Sequence, residues 1–200
     1  YEESIQIEVT ATAEQGNGTV TGTGSYSLNA DVTITATPNE GYRFIGWYKG
    51  EETDAVSTET SYTFQATENV ALTAKFEKLK FDVTVDAGAG GTASGGDTQI
   101  EYNEEITVTA SPAEGYEFTG WYKDGEPDTA VSTNASYTFQ VTENVTLTAK
   151  FEKKKFAVTV QAEEGGTANG GGAQIEYGSE TTVTATPNEG YSFLGWYVGD

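Results

Sequence analysis

The chain has 200 residues, of which 31 are acidic and 10 are basic, so its formal net charge at pH 7 is −21. It contains no histidine and no cysteine, which excludes the usual zinc sites and catalysis by a thiol or an imidazole. A charge of this size and sign repels phosphate backbones and anionic lipid headgroups, so we expect no nucleic acid and no membrane surface as a partner.

The first predicted element is a β-strand, Ile5-Gln-Ile-Glu-Val, in which apolar and polar residues alternate. A period of two is typical of a strand with one buried face. Further along the chain, Thr37-Pro-Asn-Glu-Gly lies between two such strands. Proline presets φ for a type I turn and glycine accepts the left-handed conformation that follows, so we predict that this segment closes a hairpin.

The next segment is an aromatic signature, Gly41-Tyr-Arg-Phe-Ile-Gly-Trp-Tyr, which recurs with small changes from Gly115 and from Gly190. It contains the three tryptophans of the chain, Trp47, Trp121 and Trp196. They are 74 and 75 residues apart, which is the size of a small domain. The chain is therefore predicted to be a tandem array.

The spacing inside the signature predicts a β-bulge. Trp47 lies three residues after Phe44 and would fall on the opposite strand face, because side chains alternate between faces. Glycine between them permits an extra residue in the strand, which returns the tryptophan to the core. We predict such bulges at Gly46, Gly120 and Gly195.

The first repeat ends with Leu72-Thr-Ala-Lys-Phe, and the second begins with Phe81-Asp-Val-Thr-Val. The apolar residues lie at even positions before this point and at odd positions after it. This change places the first joint at 77–80, and the corresponding change one repeat later places the second joint at 152–155. Seven of the ten basic residues lie near these joints: Lys75, Lys78, Lys80, Lys150, Lys153, Lys154 and Lys155. We expect them to pair with carboxylates of both neighbouring repeats. Exposed pairs contribute under about 1 kcal/mol each, so we predict a semi-rigid, elongated rod.

The remaining segments also alternate with period two, and none has a helical period. In the second repeat the apolar rows are Val83 and Val85; Ile106, Val108 and Ala110; Tyr137, Phe139 and Val141; and Val145, Leu147, Ala149 and Phe151. We therefore predict an all-β array of small domains of about 75 residues. The predicted domains are 1–78, 79–153 and 154–200, the third being truncated after its signature.

A purely structural role is the alternative for each candidate site. The tryptophans are expected in the core, where one large aromatic per repeat acts as an anchor. Tyr48, Tyr122 and Tyr197, which follow them, should point outward and are our candidates for binding a glycan or a peptide. The acidic stretches at 51–54 and 124–128 lack the spacing of a calcium loop. We predict no metal, no cofactor and no catalytic residues.

Together, these segments resemble the divergent internalin B-repeat family of surface proteins from Gram-positive bacteria and its Listeria-Bacteroides-type relatives. The resemblance rests on the order Phe-x-Val-Thr-Val, Gly-Gly-Thr-Ala-x-Gly-Gly, Pro-x-Glu-Gly-Tyr-x-Phe-x-Gly-Trp, Ser-Tyr-Thr-Phe and Leu-Thr-Ala-Lys-Phe, and it covers nearly the whole chain. It implies an extracellular, cell-surface or wall-attached location and a β-grasp-like fold. Because the chain shows no helical segment, a compact β-sandwich or sheet roll is an equal alternative.

Two functions remain open at this stage. The first is a non-catalytic stalk in a cell-surface or secreted protein, which spaces or presents other domains. The second is an adhesive module whose repeats bind a host or bacterial glycan or protein multivalently, through the tyrosines or by adding a strand to a sheet edge. Edge strands are also the expected means of contact between chains, and no apolar run is long enough to insert in a membrane.

Overall fold

The computed structural model describes residues 5–14, 16–126 and 128–198. Within these ranges the chain forms nineteen β-strands and no helix, which confirms the all-β prediction. The described residues accordingly include no helix suited to crossing a membrane.

Contacts divide the chain into two compact units. The first combines the part up to Val83 with Asp97–Ile106 and Phe139–Asn144. The second combines Thr84–Gly96, Thr107–Thr138 and the part from Val145 onward. The second repeat therefore contributes strands to both units.

The first unit contains two sheets built by the first repeat. Their strands are β1 (Gln6–Ala13), β2 (Gly18–Thr21), β3 (Gly24–Ser27), β4 (Asp31–Pro38), β5 (Tyr42–Lys49), β6 (Ser61–Gln65) and β7 (Val70–Lys78). One sheet has the order β3-β1-β7-β5, in which β1 and β7 are parallel and the outer pairs are antiparallel. The other sheet has the order β2-β4-β6 and is antiparallel.

The two sheets enclose one hydrophobic core. Its buried members are Ala66, which follows β6, and residues of both sheets: Ile7, Val9, Ala11, Val32, Ile34, Ala36, Trp47, Leu72, Ala74 and Phe76. Most of them occupy alternate positions of a strand, which is why the sequence has period two. The repeat is thus a two-sheet sandwich, and burial of each large apolar side chain stabilises it by about 1.5–3 kcal/mol.

The predicted bulge is confirmed in the first two repeats. Phe44 pairs with Phe76, but the next pair is Gly46 with Lys75, so Ile45 is the extra residue. The rings of Phe44 and Trp47 consequently meet edge to face at 5.8 Å. The same register shift occurs between Phe118 and Gly120. Residues 191–198 form no strand, so the bulge predicted at Gly195 is absent from the described chain.

The predicted hairpin before the signature is wrong. Strand β4 continues to Pro38, and the turn comes after it, where the Tyr42 N–H donates to the carbonyl of Asn39 at 3.1 Å. Strands β4 and β5 then lie in different sheets. Both edges of β4 are already paired, with β2 and with β6, so β5 pairs with β7 and the turn joins the two layers of the sandwich.

The strands of the second repeat are β8 (Lys80–Ala87), β9 (Gly91–Ser94), β10 (Asp97–Glu101), β11 (Glu105–Pro112), β12 (Tyr116–Lys123), β13 (Ala130–Ser132), β14 (Ser136–Gln140) and β15 (Val145–Lys153). In the first unit β10 pairs with β8. In the second unit β12 lies between β15 and β13, and β11 pairs with β9. Trp121 is fully buried, as are the alternating residues Val108 and Leu147.

The third repeat adds four strands to the second unit: β16 (Lys155–Val158), β17 (Gly166–Gly170), β18 (Gly172–Glu176) and β19 (Val183–Pro187). They form the antiparallel pairs β16 with β18 and β17 with β19. Trp196 is 44% exposed, whereas Trp47 and Trp121 are 0% exposed. The predicted core role is therefore confirmed for the first two tryptophans only.

Candidate functional site

Tyr48 and Tyr122, which follow the buried tryptophans of the first two repeats, lie beneath lysine side chains. Tyr48 is half-buried, and the Lys75 Nζ lies 4.3 Å from its ring centroid. Tyr122 is also half-buried, and the Lys150 Nζ lies 4.0 Å from its ring centroid. An ammonium group over an aromatic face is attracted by the ring quadrupole. One face of the Tyr48 ring and one face of the Tyr122 ring are therefore covered.

The bulge glycine explains where these rings lie. A Cβ placed at Gly46 would come within 3.2 Å of the Tyr48 ring, and one at Gly120 within 3.2 Å of the Tyr122 ring. Each tyrosine therefore folds back over the glycine of its own signature. Lys75 reaches the ring from the neighbouring strand, where it pairs with Gly46.

Tyr197 differs from the other two tyrosines because it is 82% exposed. Each of the three candidates lies in its own repeat. Their role in binding stays a prediction.

The first joint is an interlocking contact between consecutive repeats. Tyr102, at the end of β10, lies against Gly41 of the preceding repeat, where a Cβ would overlap its ring. Its hydroxyl donates a hydrogen bond to Oε1 of Glu40 at 2.9 Å. Leu79 joins the two sides, because its N–H donates to the Gly41 carbonyl at 2.8 Å and its carbonyl accepts from the Tyr102 N–H at 2.9 Å.

The second joint repeats this arrangement between the second and third repeats. Tyr177 lies against Gly115, and its hydroxyl donates to Oε1 of Glu114 at 2.8 Å. The Lys154 N–H donates to the Gly115 carbonyl at 2.8 Å, and the Lys154 carbonyl accepts from the Tyr177 N–H at 2.8 Å. We call the aromatic residue the plug and the Glu-Gly pair, Glu40-Gly41 or Glu114-Gly115, the socket.

The geometry of the socket requires glycine. Gly41 has φ of 79° and Gly115 has φ of 78°, in the left-handed region that residues with a Cβ rarely adopt. The missing side chain also makes room for the plug ring. The recurrent Asn/Ala-Glu-Gly-Tyr therefore has two functions: it turns the chain between the sheets, and it receives the next repeat.

The hydrogen bonds and ion pairs to carboxylates at the joints are exposed to solvent and therefore weak. The hydrogen bond to Glu40, aided by partial desolvation, raises the pKa of Tyr102, and the hydrogen bond to Glu114 raises the pKa of Tyr177. Lys78 pairs with Glu101 at 3.4 Å, and Lys153 pairs with Glu176 at 3.8 Å. These two pairs confirm the prediction that joint lysines contact carboxylates of the next repeat, and exposed pairs of this kind contribute little stability.

The prediction was wrong for Lys75. Lys75 was expected to pair with a carboxylate across the joint, but it lies over the Tyr48 ring. Lys150 likewise lies over the Tyr122 ring, and in both cases the ring is on the strand adjacent to the lysine.

The plug tyrosines were missed by the sequence analysis. The available signal was the recurrence of Gln-Ile-Glu-Tyr at 99–102 and 174–177, each before the turn that precedes a strand. Tyr102 belongs to no apolar row of its repeat, and its partner Glu40 is 62 residues earlier. The period-two pattern within a repeat therefore indicates neither the role of Tyr102 nor its partner in the preceding repeat.

Other parts of the described chain offer little chemistry. Among the described residues, no group of three His, Cys, Asp or Glu side chains is placed to hold a metal ion. A cavity of about 320 Å³ lies beside the third signature and is lined by Phe193, Trp196 and Tyr197. Because the corresponding Trp47 and Trp121 are core residues, we interpret this cavity as part of a repeat core.

Comparison with protein families agrees with the repeat structure. The model of the divergent InlB B-repeat domain matches residues 6–80, 81–155 and 156–200. Three tandem repeats thus cover almost the whole chain, as the aromatic signature predicts.

Two similar proteins come from Evansella cellulosilytica. One, named "Putative membrane protein", is 36% identical over 163 residues, which is 79% of this chain and 23% of that protein. The other, named "Putative Gly-rich membrane protein", is 33% identical over 165 residues, which is 79% of this chain and 18% of that protein. The chain therefore spans less than a quarter of the length of these relatives.

Proposed function

Because the chain belongs to the divergent InlB B-repeat family, we propose that it is a non-catalytic stalk in a bacterial surface protein. The repeats are of a surface-protein type, and in this proposal they hold other domains of the protein at a distance from the cell. The proposed location is extracellular, at the cell surface or the cell wall. The names of the two relatives, both called membrane proteins, are compatible with this location.

The observation that carries the proposal is the repeated joint. The same set of three backbone and side-chain hydrogen bonds forms at the joint between the first and second repeats and at the joint between the second and third. A flexible linker between domains would make no such contacts. A stalk needs consecutive modules that keep a defined arrangement, and a plug seated in a socket provides it.

The composition supports a non-catalytic role. Without histidine or cysteine, catalysis would require carboxylates, lysines or tyrosines brought into one water-excluding site. The tyrosines with a raised pKa, Tyr102 and Tyr177, are hydrogen-bonded at joints, where their chemistry is structural.

The experiment that tests the proposal measures a distance across the first joint. The chain contains no cysteine, so spin labels attach only to introduced ones, at Glu59→Cys in the first repeat and Glu105→Cys in the second. Both positions are exposed and lie in the first compact unit. We expect one narrow distance distribution by pulsed electron paramagnetic resonance, since the joint lies between the labels.

A matched pair of variants identifies the cause. Tyr102→Ala removes the plug and should broaden the distribution, whereas Tyr197→Ala removes an 82% exposed tyrosine and should leave it unchanged. A broad distribution in the unaltered chain would contradict the stalk proposal, because the repeats would then be flexibly linked.

A second candidate function is favoured by one observation, the exposure of Tyr197. In this alternative, the repeats bind a glycan or a protein multivalently through Tyr48, Tyr122 and Tyr197. An array of glycans and surface proteins probed with the chain and with its triple alanine variant separates the two functions. Binding that the triple variant loses favours adhesion, and an absence of binding favours the stalk.

A further inference from the structure

We propose that the first repeat binds an extended, basic peptide of another protein along the free edge of strand β6, with one apolar side chain of the peptide in the cleft beside that strand. The cleft lies between β6 and the other sheet of the sandwich. This inference goes beyond the proposed stalk function and does not depend on it. It also uses a site other than the three signature tyrosines.

Strand β6 has one unpaired edge. It is the last strand in the order β2-β4-β6, and within the described part of the chain it pairs with β4. The Ala66 N–H donates to the Ala30 carbonyl at 2.9 Å. Residues of an antiparallel strand alternate between bonding to the partner and facing away from it, so Ser61, Thr63 and Gln65 direct their N–H and carbonyl groups to the free edge.

This edge lacks the charge, the proline and the bulge that commonly protect the edge of a sheet. The strand reads Ser61-Tyr-Thr-Phe-Gln, and its register with β4 has no shift. It has five residues, whereas β2, at the other edge of the same sheet, has four. A neutral edge strand in a chain with 31 acidic residues is therefore open to pairing with a further strand.

A cleft of about 180 Å³ lies beside β6. Its apolar lining comprises Tyr62 and Phe64, whose rings stack at 5.2 Å, Val70 and Leu72 of β7, and Val56, which is 39% exposed. A cavity of roughly 150 Å³ with apolar walls holds one benzene molecule, so the cleft suits one apolar side chain of about that size. Because side chains alternate between the faces of a strand, a peptide added to β6 directs every second side chain to the side of the cleft.

The rim of the cleft favours a basic partner. Nζ of Lys49 donates to Oε1 of Glu68 at 2.8 Å, and both side chains are exposed. Glu52 is held close to Lys49, since its N–H donates to the Lys49 carbonyl at 3.2 Å. Two carboxylates therefore accompany one ammonium group. The charge of −21 on the whole chain attracts a basic peptide and repels a second copy of the chain.

The lining of the cleft recurs in the sequence of the second repeat. Residues 56–76 and 131–151 differ at four positions, which are 59, 60, 66 and 71 in the first repeat, and none of these lines the cleft. Val131, which corresponds to Val56, is likewise 39% exposed. The differences between the two repeats thus leave the lining residues unchanged.

The test is a titration of the full chain with a synthetic peptide, Thr-Lys-Thr-Phe-Thr-Lys-Thr, blocked at both ends and followed by ¹H–¹⁵N spectra. Its phenylalanine and both lysines lie on one face of a strand. We expect the amide signals of Ser61, Thr63 and Gln65 to shift, while those of β2, at the opposite edge of the sheet, stay in place. A peptide with alanine instead of phenylalanine should bind about tenfold more weakly, the effect of removing one buried aromatic side chain.

Two variants of Thr63 test the strand contact. Thr63→Pro removes the N–H at the free edge, a position where a sheet tolerates proline, and should abolish binding. Thr63→Ala is the matched control, because it also loses the hydroxyl contact with Thr33 at 2.7 Å but keeps the amide. It should bind the peptide as the unaltered chain does. An unchanged Trp47 indole signal in both variants verifies that the core of the repeat is folded.

The proposal is overturned if the three edge amides do not shift at about 1 mM peptide, or if Thr63→Pro and Thr63→Ala bind the peptide equally. Equal binding of the alanine peptide would contradict the role of the cleft, and equal binding of a peptide with glutamate instead of lysine would contradict the role of charge. Edge shifts that follow the concentration of the chain alone, without peptide, would identify a second copy as the occupant and also overturn the proposal.

Discussion

The core of a repeat and the joint between repeats both depend on an aromatic residue and a glycine, but the two aromatic residues differ in burial. In the core, Trp47 follows the bulge at Gly46 and is 0% exposed. In the joint, Tyr102 covers Gly41 and keeps its hydroxyl on the exposed carboxylate of Glu40. The core is apolar and large, whereas the joint is small and polar.

This difference separates folding from arrangement. Burial of apolar surface provides most of the folding free energy, so the sandwich core decides whether a repeat folds. A few exposed hydrogen bonds add little stability, but their direction decides how one repeat meets the next. Changes in the core should therefore affect stability, and changes in the joint should mainly affect geometry.

The largest expected effect is in the core. Trp47→Ala should destabilise the first repeat by about 3–5 kcal/mol, because it removes a fully buried aromatic side chain and leaves a cavity. Trp196→Ala is the matched control, since Trp196 is 44% exposed, and it should cost much less. Hydrogen exchange of the β1 and β4 amides measures the first-repeat value, and that of the β17 and β19 amides the third-repeat value. Equal losses in the two variants would contradict the anchor role of Trp47.

A second, smaller effect is expected at the socket. Gly41→Ala and Gly190→Ala both place a Cβ at a left-handed φ, which costs about 1–2 kcal/mol. Only Gly41→Ala also displaces a plug ring, so it should disturb the amide signals of Leu79 and Tyr102 as well. If Gly41→Ala and Gly190→Ala lost the same stability and left the Leu79 and Tyr102 amide signals equally unchanged, the position of the plug would not depend on the missing side chain of Gly41.

The sequence predicts the local structure of the repeats better than their assembly. The alternation of apolar residues identifies strands such as β1 and β15, and the Phe44 to Trp47 spacing identifies the bulge, because both depend on residues close in sequence. Alternation determines which face of a strand is buried but not which strand is its neighbour. The parallel pairing of β1 with β7 and the separation of β4 and β5 into two sheets were therefore not predicted.

The site was predicted less well for a related reason. The tyrosines chosen, Tyr48, Tyr122 and Tyr197, were those inside the signature, where repetition is most visible. The joint instead uses Tyr102, whose ring meets a glycine of the preceding repeat. A contact between two repeats leaves no period within either of them.

A third effect concerns the lysines that lie over Tyr48 and Tyr122. Lys75→Gln and Tyr48→Leu, measured separately and together, should show a coupling energy of about 0.5–1 kcal/mol, the usual size for a cation over an exposed ring. Denaturation of the four proteins of this cycle gives the value. The same cycle for Lys150 and Tyr122 is an internal replicate. A coupling energy near zero in both cycles would mean that the ammonium groups are merely adjacent to the rings.

The smallest effect is the pH dependence of the joint. The pKa of Tyr102 is raised by its hydrogen bond to Glu40, so the folded chain holds this proton more tightly than the unfolded chain. The resulting stability is fully present below the ordinary tyrosine pKa of about 10 and is lost as the pH rises through the higher folded value. Above this pH, the free energy of unfolding of Tyr102→Phe should therefore fall less than that of the unaltered chain. An identical alkaline decline in both proteins would argue against the hydrogen bond.

The central claim is that a tyrosine of one repeat covers the socket glycine of the repeat before it, and the proton shifts of the three socket glycines test it most directly. In dilute solution, the α-protons of Gly41 and Gly115 should be displaced by ring currents and show nuclear Overhauser contacts to Tyr102 and Tyr177. Gly190, which has the same turn and no ring nearby, should have an ordinary shift. Three equal, unshifted glycines without these contacts would contradict the account.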